Sequence, residues 1–329
     1  MVAERGGGRA FVNLAYIADR RLEVLAFGLG RHPAVIAEER LGRGLLPPDE
    51  PRTSADDILS YLVGIAFGRW DVRAARDPIP GHRAPAVYEP LPNFAPGMLV
   101  GADGLPPREP PSGYPIEIPL DGVLVDEPAH KWDIEGAVRR AAAALWQDAD
   151  PILEELQAIL GRPLRDHLGR QFFKDHLSRY SKSRRQAPIY WQLSVPSRAW
   201  SVWVYAPMLS RETLFAITRH AARRQRTGQE AVAALQADRA AGGRGRRPKE
   251  LVARIAEEED LVSELEAFRT EAERIAGLGW EPDLDDGFVL CAAPLARLFP
   301  AWPTAAEERS NLKAGRYPWA TVARAAGSI

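Results

Sequence analysis

The sequence is poor in cysteine: Cys291 is the one thiol among 329 residues. A single thiol excludes an internal disulfide and cannot build a structural zinc site of several sulfur ligands. No stretch approaches the roughly 20 consecutive apolar residues of a membrane-spanning helix, and residues 1–8 are polar and glycine-rich, without the apolar core of a signal peptide. We therefore expect a soluble, cytoplasmic protein that does not engage a membrane.

The usual nucleotide and metal motifs are also missing. No glycine precedes a Lys-Ser or Lys-Thr pair, as a P-loop requires, and the Gly28 and Gly30 pair lacks the third glycine of a dinucleotide-binding turn. The histidines show no ligand-like spacing; they are His32, His82, His130, His167, His176 and His220. We expect no metal site and no cofactor site in this chain, with His167 and His176 solvated on a basic helix.

Charge is nearly balanced overall but unevenly distributed. The formal net charge is −1, yet residues 165–249 contain 18 lysines and arginines and only 5 aspartates and glutamates. This local charge of +13 leaves −14 for the rest of the chain. A basic segment with acidic flanks is typical of proteins that offer one face to a polyanion. An arginine-rich surface without any partner would have the same composition, so charge alone leaves both interpretations open.

Local patterns predict helices and strands in mixed order. Ser54 is the predicted N-cap of a short apolar helix. The strongest strand signal is the pair 189–193 and 199–205, whose aromatic and β-branched residues predict a β hairpin. A brief strand is predicted over 122–125. Helices are predicted over 11–25, 58–67, 133–146, 151–160 and 163–180.

Two long helices are predicted after the β hairpin, over 211–240 and 248–276. The second has one apolar stripe, made of Leu251, Ile255, Val262, Leu265, Phe268 and Ile275. We therefore predict an α+β fold, in which a mixed region with a β hairpin precedes a long antiparallel helical hairpin and a Trp-rich tail.

Four parts are expected along the chain. They are an N-terminal helical remnant or linker (1–55), a mixed α/β DNA-recognition-like region (56–206), the helical hairpin (207–279) and a C-terminal tail packing on the preceding domains (280–329).

The basic segment holds the best candidate site residues. Cations pair with phosphates, short hydroxyls add neutral phosphate contacts, and aromatic faces such as those of Tyr180, Tyr190 and Trp191 stack on exposed bases. We expect Phe172, Phe173 and Trp203 instead to belong to the hairpin core. The predicted DNA-binding residues are Lys174, Arg179, Lys182, Ser183, Arg184 and Arg185, with Arg244, Arg246, Arg247 and Lys249 as a second contact at the tip of the helical hairpin.

An acidic cluster offers a different chemistry. Asp283, Asp285 and Asp286 could hold Mg²⁺ for a nuclease, although no lysine follows until Lys313 to polarise a phosphate. A turn leading into the apolar residues 288–290 explains the same pattern more simply.

Several segments, in order, resemble one family. Arg179-Tyr180-Ser181-Lys182-Ser183-Arg184-Arg185, followed by Ala187-Pro188-Ile189-Tyr190-Trp191, resembles the C-terminal half of BREX (Pgl-type) adenine-specific DNA methyltransferases, which are related to Eco-type restriction-methylases of bacterial phage defence. The resemblance spans roughly residues 56 to 320. It includes residues 60–64, 67–71, 121–125, 283–287, 293–295 and 298–300, and then Leu312, Gly315, Tyr317, Trp319 and Ala320.

The family's catalytic part has no counterpart here. The resemblance implies an upstream methylase domain that binds S-adenosylmethionine and carries an Asn-Pro-Pro-Tyr loop around a flipped adenine. None of Asn13, Asn93 and Asn311 precedes a proline. We therefore carry over no catalytic residue, and we expect S-adenosylmethionine on a partner or on a missing methylase domain. Three interpretations of this chain fit the resemblance: one part of a split enzyme, a separately encoded specificity subunit, and the product of a truncated reading frame.

The expected function is DNA recognition and scaffolding for an adenine-specific (N6) DNA methyltransferase. The expected partners are double-stranded DNA and a methylase-domain protein or other defence-system subunits. Two alternatives of other classes remain: a metal-dependent nuclease centred on Asp283, Asp285 and Asp286, and a protein-interaction scaffold without DNA contact. Whether this chain is itself an enzyme stays open.

Overall fold

The computed structural model describes residues 51–69, 114–146, 148–179, 181–182, 185–186, 188–241, 248–283 and 286–322. The helices are α1 (Pro51–Ala66), α2 (Ile134–Leu145), α3 (Asp150–Leu160), α4 (Leu164–His167), α5 (Phe173–Arg179), α6 (Arg211–Ala240), α7 (Pro248–Gly277), α8 (Phe288–Ala292) and α9 (Pro303–Lys313). The strands are β1 (Val123–Val125), β2 (Ser181–Lys182), β3 (Arg185–Gln186), β4 (Tyr190–Ser194) and β5 (Ser201–Tyr205). Shorter helical segments are a π turn (Leu168–Phe172) and two 3-10 segments (Ala206–Met208 and Ala293–Leu298).

This arrangement confirms the predicted α+β fold with a β hairpin and a helical hairpin. The helix predicted over 11–25 lies outside the described residues. Two compact units make up the chain: the first comprises Met1–Trp191, Trp203–Leu209 and Asp283–Val289, and the second comprises Gln192–Val202, Ser210–Pro282 and Leu290–Ile329.

Helix α1 is a core helix of the first unit. Every side chain from Ile58 to Arg69 is buried, as expected for a helix that is apolar on all sides. The predicted N-cap at Ser54 is wrong, because the helix begins at Pro51 and Ser54 lies within it. Proline suits this first position because its fixed φ is helical and its missing N–H would have no helical partner.

The helices that follow β1 begin and end where their residues predict. Asp133 caps α2 by accepting a hydrogen bond from the amide of Gly136 at 2.9 Å. Helix α3 has a proline in its first turn and ends at Gly161, whose φ of 70° is the left-handed conformation that glycine adopts without strain.

The two strands of the β hairpin are buried along their whole length. Strands β4 and β5 belong to a three-stranded antiparallel sheet of order β1-β5-β4, and all of their residues are buried. In the first unit Phe172 and Phe173 pack against Trp203, with ring centroids 5.4 and 6.1 Å apart. In the second unit Trp200 meets Phe268 edge to face at 5.4 Å. Trp200 and Trp203 belong to the aromatic and β-branched residues that predicted the second strand.

One helical path runs from Leu164 to Arg179, close to the helix predicted over 163–180. It is not a uniform α-helix, because the π turn Leu168–Phe172 separates α4 from α5. A π turn absorbs about one extra residue and so shifts the phase of everything after it. The faces that α4 and α5 bury therefore cannot be read from one continuous period of 3.6 residues.

The helical hairpin of α6 and α7 dominates the second unit. Ser210 and Thr213 form a reciprocal capping box at the start of α6. Along the predicted stripe of α7 all residues are buried except Val262, which is half-buried. Val262 lies against Gly228, where a Cβ atom would come within 2.7 Å of its Cγ2, so the two helices approach closely. Arg224 and Glu258 pair beside this contact at 2.6 Å.

A charge cluster connects α7 to the C-terminal segments of the second unit. Glu271 is buried and receives two hydrogen bonds from Arg274, at 2.8 and 2.9 Å. Arg297 and Arg309 approach the same carboxylate at 3.6 and 3.5 Å. One carboxylate thus holds three guanidinium groups from α7, a 3-10 segment and α9.

None of the helices within the described ranges is individually long and apolar enough to cross a membrane. One consecutive pair, Phe288–Leu298 and Pro303–Lys313, meets the length and composition criterion jointly but is bent by 102°.

Candidate nucleic-acid interface

A buried histidine holds together the two ends of the stretch that contains most of the predicted phosphate contacts. His176, at 2% exposure, accepts hydrogen bonds on Nε2 from the backbone amides of Ile189 and Tyr190, both at 3.1 Å. Burial lowers the pKa of His176 well below its usual value, and the charges of Arg179 and Arg69 act in the same direction. The ring is therefore neutral, with Nε2 as the acceptor. The two ends of residues 177–188 are held together at this ring.

A short β ribbon lies within this closed segment. Strands β2 and β3 pair antiparallel, with Ser181 opposite Gln186 and Lys182 opposite Arg185. The hydroxyl of Ser181 donates a hydrogen bond to the carbonyl of Leu177 at 2.7 Å, which ties the ribbon to the end of α5. The register leaves two connecting residues between the strands, Ser183 and Arg184, which lie outside the described residues.

The other predicted contact residues are placed as follows. Lys174 is exposed on α5, and Arg179 is half-buried as the last residue of that helix. Lys249 is exposed in the first turn of α7. Arg244, Arg246 and Arg247 lie outside the described residues. The structure therefore brings Arg179, Lys182 and Arg185 to one short helix-and-ribbon segment of the first unit, whereas Lys249 belongs to the second unit.

The aromatic residues of this region form core rather than a base-stacking surface. Phe172, Phe173 and Trp203 are buried, which confirms the prediction for them. Tyr190 and Trp191 are also fully buried, so the idea that they stack on exposed bases is wrong. Tyr180 lies outside the described residues.

Tyr190 and Trp191 each have a polar contact inside the protein. The Tyr190 hydroxyl accepts a hydrogen bond from Arg69 at 3.4 Å, and the ring stacks on Phe67 with 5.9 Å between centroids. The indole N–H of Trp191 donates to the carbonyl of Pro188 at 2.7 Å. These contacts position the start of β4, directly after the basic segment.

Part of the basic charge is neutralised internally. Arg165 contacts Asp126 and Asp133 at 2.7 Å and Glu135 at 3.0 Å. Burial raises the pKa of Asp126, although the Arg165 guanidinium opposes that shift. Arg224 likewise pairs with Glu258. These arginines contribute to the sequence count of +13 but have carboxylate partners already.

A basic stripe on α6 escaped sequence reasoning. Arg219, Arg223 and Arg226 are exposed at spacings of four and three residues, which places them on one face of the helix. Phe215 precedes them on this face, with the Arg211 guanidinium 5.5 Å above its ring. The helical spacing of these arginines was the signal that could have identified them.

A second cluster was missed for a different reason. The expectation that His167 and His176 are solvated is wrong, because their exposed fractions are 0% and 2%. Nε2 of His167 lies 3.7 Å from Oδ1 of Asp56 and 3.9 Å from Oδ2 of Asp175. Among the described residues this is the group of side chains whose spacing suits a metal ion.

The acidic residues considered for a nuclease are placed only in part. The amide of Asp286 donates to the carbonyl of Asp283 at 3.0 Å, which forms the predicted turn before α8. Asp286 is buried, and Asp285 lies outside the described residues. Within the described chain, neither Asp283 nor Asp286 belongs to a group spaced for metal coordination.

Comparison with known proteins gives no assignment: no protein-family model matches the chain, and no curated protein matches it significantly.

Proposed function

We propose that the chain binds double-stranded DNA through the basic segment 174–185. The observation that carries the proposal is the hydrogen bonding of His176 to the amides of Ile189 and Tyr190, which closes the stretch 177–188, combined with the register that pairs Lys182 with Arg185. Lysines and arginines at the end of a short ribbon supply the charge that backbone phosphates require. In this proposal Lys174, Arg179, Lys182, Arg184 and Arg185 contact phosphates, and Ser183 adds a neutral contact.

A two-stranded ribbon also suits duplex DNA by its dimensions. The major groove, about 12 Å wide, admits either an α-helix or a two-stranded ribbon. The exposed arginine stripe of α6 and Lys249 are separate basic surfaces. With Arg244, Arg246 and Arg247, Lys249 supplies a second phosphate contact in this proposal.

The biological setting that we propose rests on the resemblance to BREX (Pgl-type) methyltransferases. In that setting the chain supplies DNA specificity and a scaffold for an adenine-specific (N6) DNA methyltransferase of a cytoplasmic phage-defence or restriction-modification system. S-adenosylmethionine binds to a partner or to a methylase domain outside this sequence. The purified chain should accordingly neither bind that cofactor in calorimetry nor methylate DNA by itself.

Salt dependence tests the DNA-binding proposal directly. Binding of a labelled duplex should weaken steeply with salt, with a log-log slope near −4.5 if about five phosphates are neutralised. A lack of binding at about 50 mM salt, or a flat salt response, would overturn the proposal. The same titration with Mg²⁺ separates the alternatives, because metal-dependent cleavage of plain DNA supports a nuclease. Salt-insensitive binding to a protein partner alone supports a scaffold.

A further inference from the structure

We propose that Asp56, His167 and Asp175 form a binding site for a divalent transition-metal ion. The three residues belong to the first unit and come from α1, α4 and α5. One ligand atom from each lies within 4.8 Å of the other two. None of the three residues is a proposed phosphate contact, although Asp175 directly follows Lys174, and the test of the site requires no DNA.

The distances favour shared coordination over direct hydrogen bonding. The separations of 3.7 and 3.9 Å between His167 Nε2 and the two carboxylate oxygens exceed the roughly 2.7–3.2 Å of a good hydrogen bond. Ligands of a tetrahedral ion at about 2.1 Å are about 3.4 Å apart. A contraction of a few tenths of an ångström would bring Nε2 of His167 and each carboxylate oxygen to that separation, and the two carboxylate oxygens lie within 4.8 Å of each other.

Neighbouring side chains position two of the ligands. The Gln171 amide donates to Oδ1 of Asp175 at 2.7 Å, and the other oxygen of that carboxylate is the one nearest His167. Phe172 packs edge-on against the His167 ring, with centroids 6.5 Å apart. Contacts of this kind fix ligand orientation in metal sites. Both residues belong to the π turn, and such turns occur frequently at functional sites.

The ligand set indicates the class of ion. One imidazole with two carboxylates suits Zn²⁺ and similar first-row ions better than Mg²⁺ or Ca²⁺, which favour all-oxygen coordination. Three protein ligands leave one position of a tetrahedral ion for water. His167 is fully buried, while the Asp56 and Asp175 side chains are 15% and 26% exposed, so Asp175 is the ligand residue nearest to solvent.

Metal analysis of the full chain without DNA tests the site. We expect one Zn²⁺ or Co²⁺ per chain, a higher melting temperature with metal than with chelator, and Co²⁺ absorption bands of a four- or five-coordinate site. Asp175→Asn and His167→Gln should each weaken metal affinity by more than about tenfold. Asp166→Asn, an exposed neighbour on α4, should bind as the parent does.

The outcomes are decisive because two ligand variants are compared. If His167→Gln fails to fold, Asp175→Asn retains the test, since its carboxylate is the most exposed of the set. Metal binding that survives Asp175→Asn at parental affinity and stoichiometry lies elsewhere and overturns the proposal. A parent protein that shows neither stoichiometric binding nor a metal-dependent melting temperature overturns it as well. Neither result bears on the DNA titration, so the two proposals fail independently.

Discussion

Nε2 of His176 accepts the amide hydrogen of Tyr190 at 3.1 Å, and this bond joins α5 to the first residue of β4. The same atom accepts the amide of Ile189, so one ring satisfies two buried backbone donors. All predicted contact residues between Arg179 and Arg185 lie between these partners in sequence. One side chain therefore both satisfies buried backbone donors and fixes where the chain returns before β4.

Replacing His176 should destabilise the protein and disturb DNA binding together. His176→Leu removes the acceptor for both amides, at a cost of about 2–4 kcal/mol in the free energy of unfolding. His176→Gln offers an oxygen near the position of Nε2 and should therefore lose less stability than His176→Leu. Chemical denaturation at neutral pH measures the difference, with His220→Gln on α6 as the control. Equal losses of stability in His176→Leu and His176→Gln would show that His176 contributes through the packing of its ring rather than by accepting these hydrogen bonds.

The double variant Arg184→Ala, Arg185→Ala separates phosphate contact from packing. If both side chains hold phosphates, DNA affinity should fall similarly for all sequences, and the salt slope should become shallower by about two. The melting temperature should barely change, since exposed charges contribute little to folding. Arg254→Ala with Lys313→Ala removes the same charge from exposed positions elsewhere and should leave the slope unaltered. A large fall in melting temperature with an unchanged slope would contradict the phosphate assignment.

Gly228 should tolerate no larger side chain. A Cβ atom there would lie 2.7 Å from Val262 Cγ2 and 3.0 Å from Glu258 Oε1, so Gly228→Val should destabilise the helical hairpin by about 1–3 kcal/mol. Gly277→Val is the matched control, because open space surrounds that position at the end of α7. Thermal unfolding compares the two. Similar melting temperatures for both variants would mean that α6 and α7 do not approach closely at Gly228.

Glu271 should make stability depend on acidic pH. Burial alone would raise the pKa of Glu271, but the hydrogen bonds and charge of Arg274, with the charges of Arg297 and Arg309, lower it overall. A carboxyl whose folded pKa lies below its unfolded value of about 4.3 stabilises the protein above that pH. That stability is lost as the pH falls through the folded pKa.

Glu271→Gln tests this sign. At neutral pH the variant should be less stable than the parent by about 1–3 kcal/mol, because Arg274 loses one of its two acceptor oxygens and the buried Glu271 position loses the negative charge that faces three arginines. The difference should shrink as the pH is lowered below about 4. Melting curves from neutral to acidic pH measure it, with the exposed Glu266→Gln as the control. A stability difference between parent and variant that stays constant or widens in acid would contradict a lowered pKa for Glu271.

The fold was predictable where the pattern is local. The β hairpin is marked by its aromatic and β-branched residues, the second long helix by an apolar stripe of helical period, and Asp133 and Gly161 mark helix ends by their own chemistry. Ser54 was a false cap signal, since a proline three residues earlier starts α1.

The buried histidines were not predictable from sequence, for two physical reasons. The π turn shifts the helical phase between His167 and Asp175, so their relation cannot be derived from a uniform period. Asp56 approaches His167 only through tertiary packing of α1 against later helices, which no spacing rule expresses. Residue types also do not show that one ring accepts two distant amides, as His176 does.

The distribution of indoles gives the protein its own optical reporters. Trp191 and Trp203 are fully buried in the first unit, whereas Trp200, Trp280 and Trp302 are fully buried in the second. Trp319, in the second unit, is 65% exposed, so a soluble quencher should reach it more readily than these five buried indoles. Variants that keep the indoles of only one unit would allow fluorescence to follow the loss of each core separately. Whether the two units unfold together or in sequence can thus be measured without any attached label.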